Sequence, residues 1–103
     1  MRPVMHGDVV SAARVLRGLP VAKRKPELLR LLRQANFADQ HRIETGRVHP
    51  FWGDGSLMTI ALAATPAPEP RFDDVDYCAC MALVFETLVQ WRMSDPGVIR
   101  ARS

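Results

Sequence analysis

Two cysteines in 103 residues leave no disulfide framework to build a fold on, and a reducing cytoplasm is the expected compartment. Long apolar runs are missing as well. The longest uncharged stretch, residues 55–68, is broken by polar side chains and ends in prolines. It falls short of the roughly 18 residues a membrane span needs. Asp8 and Arg14 interrupt any apolar core of a secretory signal near the start. Glycine is sparse, and no Gly-rich phosphate loop and no Gly-x-Ser-x-Gly elbow occurs. No internal repeat is visible. With 48% hydrophobic residues and a net charge of only +3, a disordered chain is excluded. What remains is one domain over residues 1–97, with 98–103 as a frayed tail.

The charge is unevenly placed. Eight Lys and Arg stand against Asp8 and Glu27 up to Arg33, while the later acids gather at turns and helix starts. Lys23, Arg24 and Lys25, with Arg30 and Arg33, make the basic knot. It reads either as solvated linker charge or as a weak, non-specific contact with phosphate or an acidic protein. No aromatics interleave with it, so stacking on single-stranded bases is not expected. Pro20 and Pro26 spoil the tight turn of a helix-turn-helix.

Ala and Leu supply 22 residues, and the apolar positions recur at spacings of three and four, which predicts helices. The first begins with Asp8 as its cap, lines up Val9, Ala12, Ala13, Leu16 and Leu19, and closes at a left-handed Gly18 and Pro20. The second runs from Pro26, in its first turn, to Thr45. Its stripe is Leu28, Leu31, Leu32, Ala35 and Ala38, and Gly46 follows it. Beyond Ala38 the stripe thins, so the last two turns stand in solvent or meet a partner. Ser56 caps a short third helix, from Leu57 to about Ala64. The Pro-rich segment 65–70 then makes an extended connector. Asp73 and Asp74 introduce a fourth helix over 75–92. Tyr77, Met81, Val84, Phe85 and Leu88 form its face, widened by Cys78, Ala82 and Val89, so it is expected to be the most buried. Asp95-Pro96-Gly97 is a turn. The fold class is all-α, a compact bundle of about four helices with antiparallel neighbours.

The loop over 47–56 concentrates the chemistry. It sets His49, Phe51, Trp52 and Asp54 within six residues. In one reading the two aromatics plug the gap between the second and third helices, Asp54 satisfies turn backbone, and His49 bonds locally. In the other the four side chains clasp a partner, or His49 and Asp54 share a proton. Metal and cofactor sites are not expected. The thiols of Cys78 and Cys80 point roughly 200° apart on a helix and behave as buried small hydrophobes. His6, His41 and His49 lack paired ligand spacing. Asp73, Asp74 and Asp76 suit a first helical turn.

Residues 1–16, the loop 46–57 and Asp73-Asp-Val-Asp-Tyr-Cys78 together resemble a group of small bacterial proteins of about this length, without an established activity. Small helical proteins of this kind also resemble the small terminase subunits of phage-derived packaging systems, gene transfer agents included. That resemblance implies a helical, oligomeric, non-enzymatic protein that binds DNA and regulates a packaging motor. The chain departs from it in having no N-terminal DNA-binding module and no long heptad run, and no site residue carries over. The expected function is that of a non-enzymatic interaction protein with a protein partner, in its most specific form a DNA-packaging accessory. Self-association through the end of the second helix and the fourth is a further expectation. The alternative is a small ligand-binding or enzymatic domain centred on His49 to Asp54.

Overall fold

A computed structural model describes residues 2–64, 66 and 68–94. It contains α1 (His6–Arg17), α2 (Val21–Thr45), α3 (Leu57–Ala63) and α4 (Val75–Met93), with no strand among the described residues. The architecture is the expected all-α bundle. Its centre is α1, which packs most extensively on α3 and α4. Every residue from Asp8 to Ala13, with Val15 and Leu16, is buried. Ala12 and Ala13 carry only a methyl group, so the neighbouring helices can approach the α1 backbone closely.

The position of Asp8 differs from the expectation of a cap. Met5 occupies the N-cap, and Asp8 is the third helical residue. One carboxylate oxygen reaches back to accept the Met5 N–H at 2.7 Å, while the other accepts the Met58 N–H of α3 at 2.8 Å. One buried anion thus serves two helix starts, where unpaired N–H groups and the macrodipole both favour negative charge. At the other end, Gly18 is right-handed rather than left-handed, because its N–H closes a tight turn onto the Val15 carbonyl.

Helix α2 begins more than a turn before Pro26. Pro20 leads into it, and Pro26 lies inside it. The proline removes only the bond to the Ala22 carbonyl, and both residues are exposed, so water can satisfy that oxygen. Lys23, Arg24 and Lys25 therefore sit on a helix and not in a linker. Leu28, Leu31, Leu32, Ala35 and Ala38 are fully buried, as their spacing implies. Beyond Asp39 no α2 residue is buried, so the last turns project from the core. Gly46 ends the helix at φ 71°, its N–H on the Arg42 carbonyl at 2.8 Å. Ser56 and Asp74 cap α3 and α4, accepting from the N–H groups of Thr59 and Tyr77.

Helix α4 is not the most buried element. Tyr77, Cys80, Val84 and Thr87 enter the core, and Met81, Leu83, Leu88 and Trp91 pack at its edge. Cys78, Ala82, Phe85 and Val89 instead face outward. Both rows repeat at spacings of three and four, and the helix turns the row containing Tyr77 inward. Cys78 is thus an exposed thiol donating to the Phe72 carbonyl at 3.0 Å, whereas burial pushes the Cys80 thiol up. The turn expected at 95–97 and the tail at 98–103 lie outside the described residues.

Candidate functional site

The loop after Gly46 closes on itself through two backbone hydrogen bonds between His49 and Gly53, at 3.0 and 3.2 Å. Gly53 and Gly55 hold φ values of 78° and 94°, which favour glycine at both turns. Inside this ring the His49 Nδ1 accepts the N–H groups of Phe51 at 3.1 Å and Trp52 at 3.0 Å. An imidazole that accepts at Nδ1 carries its proton on Nε2. The His49 ring stacks on Trp52, with centroids 4.8 Å apart and planes 8° from parallel.

Asp54 is engaged elsewhere. Its Oδ1 accepts the Ser56 N–H at 3.0 Å and the Thr59 hydroxyl at 3.1 Å, and its Oδ2 takes Arg2 at 3.0 Å. The Ser56 N–H chiefly, helped by the Ser56 and Thr59 side chains and Arg2, holds this carboxyl below the usual aspartate range. No hydrogen bond joins His49 to Asp54 among the described residues; each uses its acceptor atoms to fix the loop. Trp52 is half-buried against the core, as a plug requires. Phe51 is not a plug. It is 83% exposed, because the turn that gives its N–H to His49 leaves its ring on the outer side.

Two residues of α2 complete the surface. Phe37 stands edge-on to His49 at 5.8 Å and to Trp52 at 5.3 Å, and His41 meets His49 at 5.0 Å. Phe37 is 57% exposed. These two are neighbours one turn apart on a helix. Their spacing, off the leucine stripe, was the available signal in the sequence. The result is a continuous platform of Phe37, His41, His49, Phe51 and Trp52, with a shallow groove lined by Phe37, Gln40, His41 and Glu44 beside it. Among the described residues no three His, Cys, Asp or Glu side chains gather to hold a metal ion.

The basic knot is divided by the fold. Arg24 is buried, and it forks onto Asp76 at 2.7 and 2.8 Å while its Nε donates to the Leu19 carbonyl at 3.0 Å. It cannot meet an external phosphate without breaking that pair. Arg30 is exposed and closely paired with Glu27. Lys23, Lys25 and Arg33 are exposed. Helical geometry puts Lys23, Arg30 and Arg33 within about 80° of one another on the outer side of α2, whereas Lys25 lies about 160° from Lys23 on the opposite flank.

A small all-α domain with a self-bonded aromatic loop clasped to its longest helix is the class that fold and site define. Within that class, the chain belongs to a family described as a domain of unknown function (DUF7742), which matches residues 2–88. No curated protein and no solved structure matches it. No helix among the described residues is long and apolar enough to cross a membrane.

Proposed function

We propose that the protein is a non-enzymatic interaction protein that seats Phe51 and the adjoining platform in an apolar cleft of a protein partner. The observation that carries this reading is the Phe51 ring, 83% exposed on a loop held in shape by its own backbone hydrogen bonds and by His49. A preorganised aromatic loses little conformational freedom on docking and contributes large apolar area, which is why such residues dominate binding energy. A photo-crosslinking residue in place of the exposed Val48 tests it in the native cell. The expected result is one dominant protein adduct that disappears with Phe51→Ala, at an unchanged melting temperature. With the purified partner, Phe51→Ala should then weaken binding by about 30-fold or more. An adduct that survives both Phe51→Ala and Phe37→Ala, or a probe at Arg71 that captures the same protein equally, would sink the proposal.

A more specific form of this reading is a DNA-packaging accessory of small-terminase type in a reducing cytoplasm. It is supported by the outer face of α2, where Lys23, Arg30 and Arg33 are exposed, and by the two free thiols. Three phosphate contacts, from Lys23, Arg30 and Arg33, give a logarithmic salt dependence of slope about −2.7, and Lys23→Ala should lower its magnitude by about 0.9. Anisotropy titration of a labelled duplex measures both. Absence of binding at about 50 mM salt removes the DNA form and leaves the protein-partner form standing.

A further inference from the structure

We infer that α4 is a self-association element, through which two copies of this chain pair antiparallel along a face distinct from the platform that seats Phe51. The helix has two largely apolar rows on opposite sides, the outer one ending in Arg92. One row, Tyr77, Cys80, Val84 and Thr87, is buried in the molecule's own core. The other is Val75, Cys78, Ala82, Phe85, Val89 and Arg92, and all six are exposed. Val75, Phe85 and Val89 stand at 82%, 54% and 62% exposure. Their steps alternate between three and four, the spacing that keeps one seam facing another helix. A helix apolar on both sides is otherwise found buried on both sides.

The occupant follows from size and charge. Two such seams laid antiparallel bring Ala82 opposite the partner's Phe85, Cys78 opposite the partner's Val89 and Val75 opposite the partner's Arg92. Each large side chain meets a smaller one, as interdigitation needs. The shallow groove beside Phe85, Val89 and Arg92 receives the partner's Cys78 and Val75. Arg92 then lies beside the acidic start of the other α4, where Asp73, 67% exposed and paired at 3.0 Å with the still more open Arg71, can exchange that surface contact for Arg92, and the two macrodipoles oppose each other. Parallel pairing would instead stack Phe85 on Phe85 and bring two Arg92 charges together. The seam is therefore self-complementary in the antiparallel direction, and a second copy of this chain supplies what it lacks.

Light scattering and sedimentation of the full chain test the pairing. The expected mass is twice 11.6 kDa. Ala82→Glu puts a charge at the seam centre and should raise the dimer dissociation constant at least about 100-fold, with an unchanged helical spectrum because the site is exposed. Direction is tested by oxidation with copper phenanthroline. Val89→Cys should give a covalent dimer that is lost when Cys78→Ser is added. A monomer mass at millimolar concentration overturns the proposal, as does a dimer unaffected by Ala82→Glu. So does a crosslink that wild-type Cys78 forms as readily alone, or one that persists without Cys78. Loss of the Phe51-dependent adduct with an intact α4 dimer would count against the platform alone.

Discussion

Gly55→Ala is expected to destabilise the fold by about 3–4 kcal/mol. Two causes add. The residue sits at φ 94°, outside the range that side chains adopt without strain. Its missing Cβ would also stand 2.6 Å from both Cα and Cβ of Asp39 and 2.9 Å from the Asp39 nitrogen. Those atoms belong largely to the α2 backbone, which cannot swing aside as a flexible side chain does. The collision would push the loop off the helix at the point where the Gly55 carbonyl also accepts the Arg2 N–H. Trp52 would then lose its edge contact with Phe37. Gly46→Ala provides the comparison. That residue has φ 71° but nothing within 4 Å of an added Cβ, so strain alone operates and about 1 kcal/mol is expected. Thermal unfolding followed by circular dichroism should show Gly55→Ala melting about 15 °C or more below wild type, and Gly46→Ala only a few degrees below. Equal losses for the two variants would mean that the close approach to α2 contributes nothing.

The helices and the loop are legible in the chain because their signals are local. The stripe from Leu28 to Ala38, the Ser56 and Asp74 caps and the left-handed Gly46 each depend on residues within a turn or two. Pro26 misleads for a definite reason. A proline in an early turn reads as a helix start, yet an exposed carbonyl can be satisfied by water, so the helix tolerates it one turn further in. The face of α4 is ambiguous in principle. Tyr77–Cys80–Val84–Thr87 and Val75–Cys78–Ala82–Phe85–Val89 share the helical period, and only packing against α1 decides which turns inward. In the candidate site, His49, Trp52 and Asp54 stand out as one short loop, but their acceptor geometry does not. The other wall, Phe37 and His41, comes from a different element and joins through tertiary folding. Arg24 is the sharpest case: nothing within its own neighbourhood announces Asp76, 52 residues away.

Arg24→Met should lower stability by about 2 kcal/mol at neutral pH, and that deficit should shrink in acid. The guanidinium is 8% exposed, while Asp76 on the other side of the pair is 40% exposed, so the loss falls below the roughly 3–5 kcal/mol of a fully buried pair. The bond is also a junction. Arg24 holds the start of α2 and the Leu19 carbonyl to the first turn of α4, where Arg17 at the end of α1 adds pairs to Asp74 at 3.2 Å and Asp76 at 3.1 Å. Arg24→Lys should recover only part of the loss, because a single ammonium cannot fork onto both Asp76 oxygens and reach Leu19 as well. The acid dependence follows from the carboxylates. The Arg24 hydrogen bonds chiefly hold Asp76 below the usual range, and the Tyr77 N–H followed by Arg17 does the same for Asp74. A carboxyl depressed by folding contributes its stability in full above the unfolded value of about 4, and loses it as pH falls below that through the folded value. In wild type, protonating Asp76 strands a buried guanidinium, a penalty that the methionine variant does not incur. Urea unfolding midpoints measured from pH 7 down to pH 3 should therefore converge for wild type and Arg24→Met. A gap that stays constant over that range would show that Arg24 stabilises the junction by packing its methylene stem, and not through the ion pair.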